Sequence, residues 1–154
     1  TTGGMKVIPD ITFAACPPLD ILVVPGGWGT RSEMHNDAML AFVRAQAAQV
    51  ETLASVCTGA LILGKAGLLD GLRATTHWRS LQLMQELFPR VTVDHTSRVV
   101  QQEKIITSAG ISAGIDMALQ IVANHLGEDI ARATARHMEY PFPETDERRI
   151  GLEP

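Results

Sequence analysis

A layered α/β fold, with a mainly parallel sheet covered by helices, is what the sequence predicts, and three observations predict it. Short apolar runs alternate with stretches of helical rhythm. The two strongest runs, Ile21-Leu22-Val23-Val24 and Leu53-Ala54-Ser55-Val56, stop abruptly at turn-forming or small residues. The 154 residues, 45% hydrophobic and 19% charged, suffice for one domain with a genuine core.

Taken in order, Ile21 to Val24 reads as a strand buried on both faces and stopped by Pro25-Gly26-Gly27. Asn36-Asp37 is an N-cap signal for a helix whose inward stripe is Ala38, Phe42, Ala45 and Gln49. A second strand over Thr52–Val56 leads into Cys57. A helix over 58–66 follows, closed by Gly67. Residues 73–77 read as a third strand and 80–88 as a helix halted before Pro89. Val91-Thr92-Val93, Arg98-Val99-Val100 and Lys104-Ile105-Ile106-Thr107 read as small strands around a turn. Ile115, Ala118, Leu119, Val122 and Leu126 then trace one apolar helix face, and Gly127 separates it from a final helix over 128–138. Residues 140–154 are expected to form a surface tail on a single domain spanning 1–154. The first strong strand comes only at Ile21, so the sheet is expected to lack a leading strand–helix unit.

Composition narrows the function. A formal charge of −4 and no run of Lys and Arg give no footprint for nucleic acid. No apolar stretch approaches the roughly 18 residues that cross a bilayer. The start, Thr1-Thr2-Gly3-Gly4-Met5-Lys6, does not read as a signal peptide. Cys16 and Cys57 are the two cysteines, in unlike contexts and without metal-ligand or C-x-x-C spacing. Free thiols and a cytoplasmic setting are the expectation. His35, His95, His125 and His137 have no paired spacing with carboxylates or cysteines, so no metal site is expected, and no cofactor is expected either. Asp116 reads as a solvated or structural hydrogen-bonding group.

The chemistry points to Cys57. In an open parallel sheet the ligand crevice lies beyond the carboxyl ends of the strands. A thiol at a strand–turn–helix seam projects there, at a helix N-terminus whose N–H groups and dipole favour the thiolate. Gly59 lets the backbone turn tightly, as glycines do around a nucleophile elbow. The Thr58 N–H is placed to meet an oxyanion. The same pattern also suits a cysteine that merely fills the end of a buried strand. Gly26 and Gly27, with Trp28 beside them, end the preceding strand and allow close approach of a ligand, or make a plain turn. His77 ends the third strand, as a proton shuttle or a buried structural histidine, and Trp78 is either pocket wall or core.

Three features in this order, Pro25-Gly26-Gly27, Val56-Cys57-Thr58-Gly59 and Thr75-Thr76-His77-Trp78, resemble the ThiJ/PfpI superfamily, relatives of class I glutamine amidotransferases. Ala66-Gly67-Leu68-Leu69-Asp70-Gly71, Arg98-Val99-Val100 and Ser112-Ala113-Gly114-Ile115-Asp116 continue the likeness. The resemblance implies a flavodoxin-like three-layer sandwich. The pattern looks most like isocyanide hydratases and the sensor domains of some transcription regulators. By position, the resemblance makes Cys57 the elbow cysteine, and Thr58 and Gly27 the donors of an oxyanion pocket. It makes His77 a histidine near the thiol. In isocyanide hydratases the implied reaction is attack of the thiolate on the isocyanide carbon. Water then releases an N-substituted formamide.

The family's usual acid, on a leading strand–helix unit, has no match here, since Asp10 and Asp20 lie in the wrong part of the pattern. The expectations are therefore a cysteine-dependent hydratase or hydrolase of a small molecule, working as a homodimer. The alternatives are a non-catalytic ligand- or redox-sensing domain, or glyoxalase- or deglycase-like action on dicarbonyls.

Overall fold

In the computed structural model, which describes residues 3–142, the two apolar runs become adjacent strands. β1 (Ile21–Val24) and β2 (Thr52–Val56) pair in parallel, with Ile21 opposite Thr52 and Val24 opposite Ser55. β2 pairs in parallel on its other side with β6 (Ile105–Ser108), and β6 pairs antiparallel with β5 (Val99–Gln102). The sheet order is β1-β2-β6-β5. A separate parallel pair joins β3 (Arg73–Ala74) to β4 (Thr92–Val93). The helices are α1 (Thr30–Glu33), α2 (Asp37–Ala47), α3 (Gly59–Lys65), α4 (Leu81–Leu87), α5 (Ala113–Leu126) and α6 (Glu128–His137).

Side-chain alternation along β2 makes the layers. Leu53 enters a core built with Val43 of α2, Leu61 and Leu63 of α3 and Met84 of α4. Its neighbour Ala54 points to the opposite face, against Val99, Ile106 and Met117 of α5. Helices therefore cover both faces of the central strand, and the architecture is a flavodoxin-like α/β fold with a mainly parallel sheet.

Local signals set several boundaries. The Asn36 side chain accepts from the backbone N–H groups of Ala38 and Met39 at 3.1 and 3.3 Å, which caps α2. Residues 143–154, most of the expected surface tail, lie outside the described residues. Among the described residues no helix is long and apolar enough to cross a membrane. No group of three or more His, Cys, Asp or Glu among them is arranged to hold a metal ion.

Several expectations need correction. β1 is not buried on both faces: Ile21 and Val23 are 37% and 44% exposed. They share the face of Ala54, and there α5 packs over β6, β2 and β5. The inward stripe of α2 is Leu40, Val43, Gln46 and Ala47. Phe42 is only partly buried against the core and also stacks on Phe13, with ring centroids 4.4 Å apart. Of the expected face of α5 only Leu119 is buried, alongside Ala113, Asp116 and Met117. That roll brings Asp116 to Arg98, whose Nε donates to Asp116 Oδ2 at 2.6 Å. Asp116 is thus a buried structural group and not a solvated one. The third strand ends at Ala74, because the next N–H, of Thr75, donates to the Thr107 hydroxyl at 2.9 Å. Residues 92–93 pair with β3 and not with β5 or β6.

Candidate active site

Because β1 and β2 run parallel and in register, their carboxyl ends lie side by side, and the residues that follow them meet. Gly26, after β1, approaches the turn after β2 so closely that a Cβ there would stand 2.7 Å from the Thr58 nitrogen and 2.8 Å from Cys57 Cβ. A Cβ on Gly59 would stand 2.1 Å from the Val24 carbonyl oxygen. Glycine at both positions is therefore a steric requirement of the junction.

Cys57 sits at φ 57°, a left-handed conformation that costs energy for a residue with a Cβ. Its backbone is held on both sides. The Cys57 N–H donates to the carbonyls of Ser108, the last residue of β6, and Ala109, the next, at 3.1 and 3.2 Å. The Cys57 carbonyl accepts from the buried Thr76 hydroxyl at 2.7 Å. The bend holds the thiol, half-buried, at the wall of a cavity of about 570 Å³. That volume lies in the range of small-molecule sites, roughly 300–1,000 Å³.

Gly26, Gly27, Trp28, Thr58 and His77 line the same cavity as Cys57. Gly59 and Trp78 are not among its lining residues. Gly59 is packed against the Val24 backbone, and Trp78 lies beside His77 with ring centroids 5.8 Å apart. Cys16 is elsewhere, its Sγ 3.4 Å from the Pro17 carbonyl. Thr58 clasps Gly27: its hydroxyl accepts the Gly27 N–H at 2.9 Å and donates to the Gly27 carbonyl at 3.1 Å. The Gly27 N–H is thus engaged by a side chain, whereas the Thr58 N–H has no acceptor among the described residues. His77 Nδ1 accepts the Arg79 N–H at 3.3 Å, so a neutral ring carries its proton on Nε2. The ring lies against Gly110, where a Cβ would come within 2.3 Å of Cδ2.

Sequence reasoning missed four contributors. Arg31 and Arg79 reach the cavity from α1 and from the turn after His77, and Ile111 does so from the loop before α5. Ile111 is 81% exposed with φ 46°, an unusual pairing for a β-branched residue. Thr76 was visible only as part of a motif, and nothing in the local pattern marked its hydroxyl as the partner of the Cys57 carbonyl. Among the described residues no acidic residue lines the cavity, and Asp10 and Asp20 lie outside it, both exposed.

The chain as a whole has known relatives. An isonitrile hydratase of Pseudomonas putida is 44% identical over 147 residues, covering 95% of this chain and 63% of that protein. The HTH-type transcriptional regulator GbdR of Pseudomonas aeruginosa is 33% identical over 153 residues, 98% of this chain and 41% of the regulator. The crystal structure of a ThiJ/PfpI family protein from Pseudomonas syringae superposes with a TM-score of 0.81 at 36% identity. The match covers 94% of this chain and 60% of that one. The chain therefore spans less than two thirds of each of these relatives. The DJ-1/PfpI family model matches residues 1–124. This chain belongs to the DJ-1/PfpI family.

Proposed function

We propose that this chain is the cysteine-bearing domain of a small-molecule hydratase of the isonitrile type. The observation that carries the reading is Cys57, bent to φ 57° and exposed on a cavity of about 570 Å³. The 44% identity to an isonitrile hydratase supports it. In the proposed reaction the Cys57 sulfur bonds to the terminal carbon of the isocyanide, and that carbon takes up a proton to give a thioimidate. Water then adds to this carbon, the carbon–sulfur bond breaks, and an N-substituted formamide leaves with the thiol restored. One water is consumed overall. The Thr58 N–H is the proposed donor to the anionic intermediate. The Gly27 N–H joins it once the Thr58 hydroxyl releases it. His77 Nε2 is the proposed proton carrier. Gly26 and Trp28 shape the substrate's position.

The test is incubation with an alkyl isocyanide and detection of the formamide. Cys57→Ala is expected to abolish turnover while circular dichroism and melting stay unchanged; full activity in that variant would sink the proposal. Two copies are proposed to associate through the exposed apolar face of Ile21 and Val23 on β1. Sedimentation velocity showing only monomer at micromolar concentration would refute that.

A second reading, a ligand- or redox-sensing domain, is favoured by the 33% identity to a transcriptional regulator over 98% of the chain. Its redox form predicts that mild peroxide takes Cys57 to the sulfinic acid before Cys16 is touched. Mass spectrometry finding Cys16 oxidised first would dismiss it.

A further inference from the structure

Arg31 and Arg79 are among the residues that line the cavity beside Cys57, and among the described residues no Asp or Glu lines it. Arg31 lies over the Trp28 ring, with Cζ 4.9 Å from the centroid, and Arg79 over the Trp78 ring at 4.8 Å. A guanidinium held over an aromatic ring by its charge still has N–H donors to offer an anion. Several other arginines already have acceptors, though Arg136 has none among the described residues. Arg73 meets Asp94 at 2.8 Å, Arg98 meets Asp116 at 2.5 Å and Arg132 meets Glu128 at 2.7 Å. Arg44 Nε donates to the Ala66 carbonyl at 2.9 Å. Among the described residues neither Arg31 nor Arg79 has a carboxylate partner. The chain as a whole carries −4, so two arginines without a carboxylate partner at one cavity run against the global charge. A cleft lined by one sign of charge concentrates ligands of the other sign.

We infer that the site selects small substrates bearing a carboxylate, seated with the anionic end at Arg31 and Arg79 and the reactive carbon at Cys57. The inference rests on the reading of Cys57 as the nucleophile and deepens it: within the isocyanide class an isocyano acid is turned over in preference to a neutral alkyl isocyanide, which remains a substrate.

Alkylation tests this without any turnover. Iodoacetate and iodoacetamide both form a sulfur–carbon bond with loss of iodide, and they differ in carrying a carboxylate or a neutral amide. Peptide-resolved mass spectrometry gives the iodoacetate-to-iodoacetamide rate ratio at Cys57, with Cys16 in the same chain as reference. The ratio at Cys57 is expected to exceed that at Cys16 by on the order of tenfold at low salt, the sum of two exposed charge contacts. The excess should shrink at high salt and vanish in the Arg31→Gln/Arg79→Gln double variant. Equal ratios at the two cysteines, or an excess that survives the double substitution, would overturn the inference.

A second readout needs no reaction at Cys57. The chain's 2 tryptophans, Trp28 and Trp78, are the residues whose rings these arginines lie over. Propionate should therefore produce a saturable fluorescence change that propionamide does not. Its absence, or its persistence in the double variant, counts against the anion site.

Turnover of isocyanoacetate against its methyl ester separates the two levels. If neither is hydrated while the alkylation and fluorescence preferences hold, the hydratase reading falls and the anion site stands. If both are hydrated at equal kcat/KM and no preference appears, the hydratase reading stands and the anion site falls.

Discussion

The Thr76 hydroxyl donates to the Cys57 carbonyl across 2.7 Å, and so a buried side chain just past the end of β3 holds the strained bend after β2. Thr76→Val keeps the shape and leaves that carbonyl without its donor, a loss of about 1–3 kcal/mol. The melting temperature should fall by about 3–9 °C, and Thr76→Ser should recover most of it. A valine variant that melts with the wild type would mean the bond does not hold the bend.

Gly59→Ala forces a Cβ to within 2.1 Å of the Val24 carbonyl oxygen. Neither backbone can yield without separating β1 from β2, so a loss of about 3 kcal/mol or more is expected, seen as insoluble protein or an early urea midpoint. Gly29→Ala is the control, since a Cβ there meets nothing within 4 Å. It should change stability by less than about 1 kcal/mol.

Asp94 should make the protein acid-sensitive. Burial alone would raise its pKa. Hydrogen bonds from the Ser97 and Thr96 N–H groups and from both hydroxyls outweigh burial and lower it from 3.8 to about 2. A carboxyl depressed on folding contributes stability in full above its unfolded value, and that contribution is lost as pH falls through the folded value. Stability should therefore drop between about pH 4 and pH 2, by about 2 kcal/mol from this residue. Asp94→Asn is expected to flatten that part of the curve in urea titrations at stepped pH. An unchanged slope would assign the acid sensitivity elsewhere.

Arg98 and Asp116 form a largely buried pair, with side chains 17% and 6% exposed. Arg98→Met strands the Asp116 charge and should cost about 3–5 kcal/mol. The double variant Arg98→Met/Asp116→Leu should be more stable than Arg98→Met alone. Tyr140 reports on the same group: burial and its hydrogen bond to Asp116 Oδ1, at 2.9 Å, raise its pKa above 10.0. In an Asp116→Leu background its ultraviolet titration should move downward. A titration that does not move would remove Asp116 as a cause.

Local chemistry fixed the elements that the sequence alone determined. Ile21 to Val24 and Thr52 to Val56 were legible because each is a compact apolar run between residues that cannot continue a strand. Asn36 announced α2 because its side chain caps the backbone a few residues away. Cys57, Gly26 and Gly27 could be assigned to one crevice because parallel strands place their carboxyl ends together.

Only the tertiary structure decided which side of each element turns inward. The face of α5 brings Asp116 to Arg98, and the face of α2 buries Leu40, Val43 and Ala47 in the core shared with α3 and α4. Arg31, Arg79 and Ile111 come to the cavity from separate segments, so no spacing in the chain could reveal them. A residue's hydropathy and neighbours set its local conformation, whereas its burial and its partners depend on surfaces that arrive from distant parts of the chain.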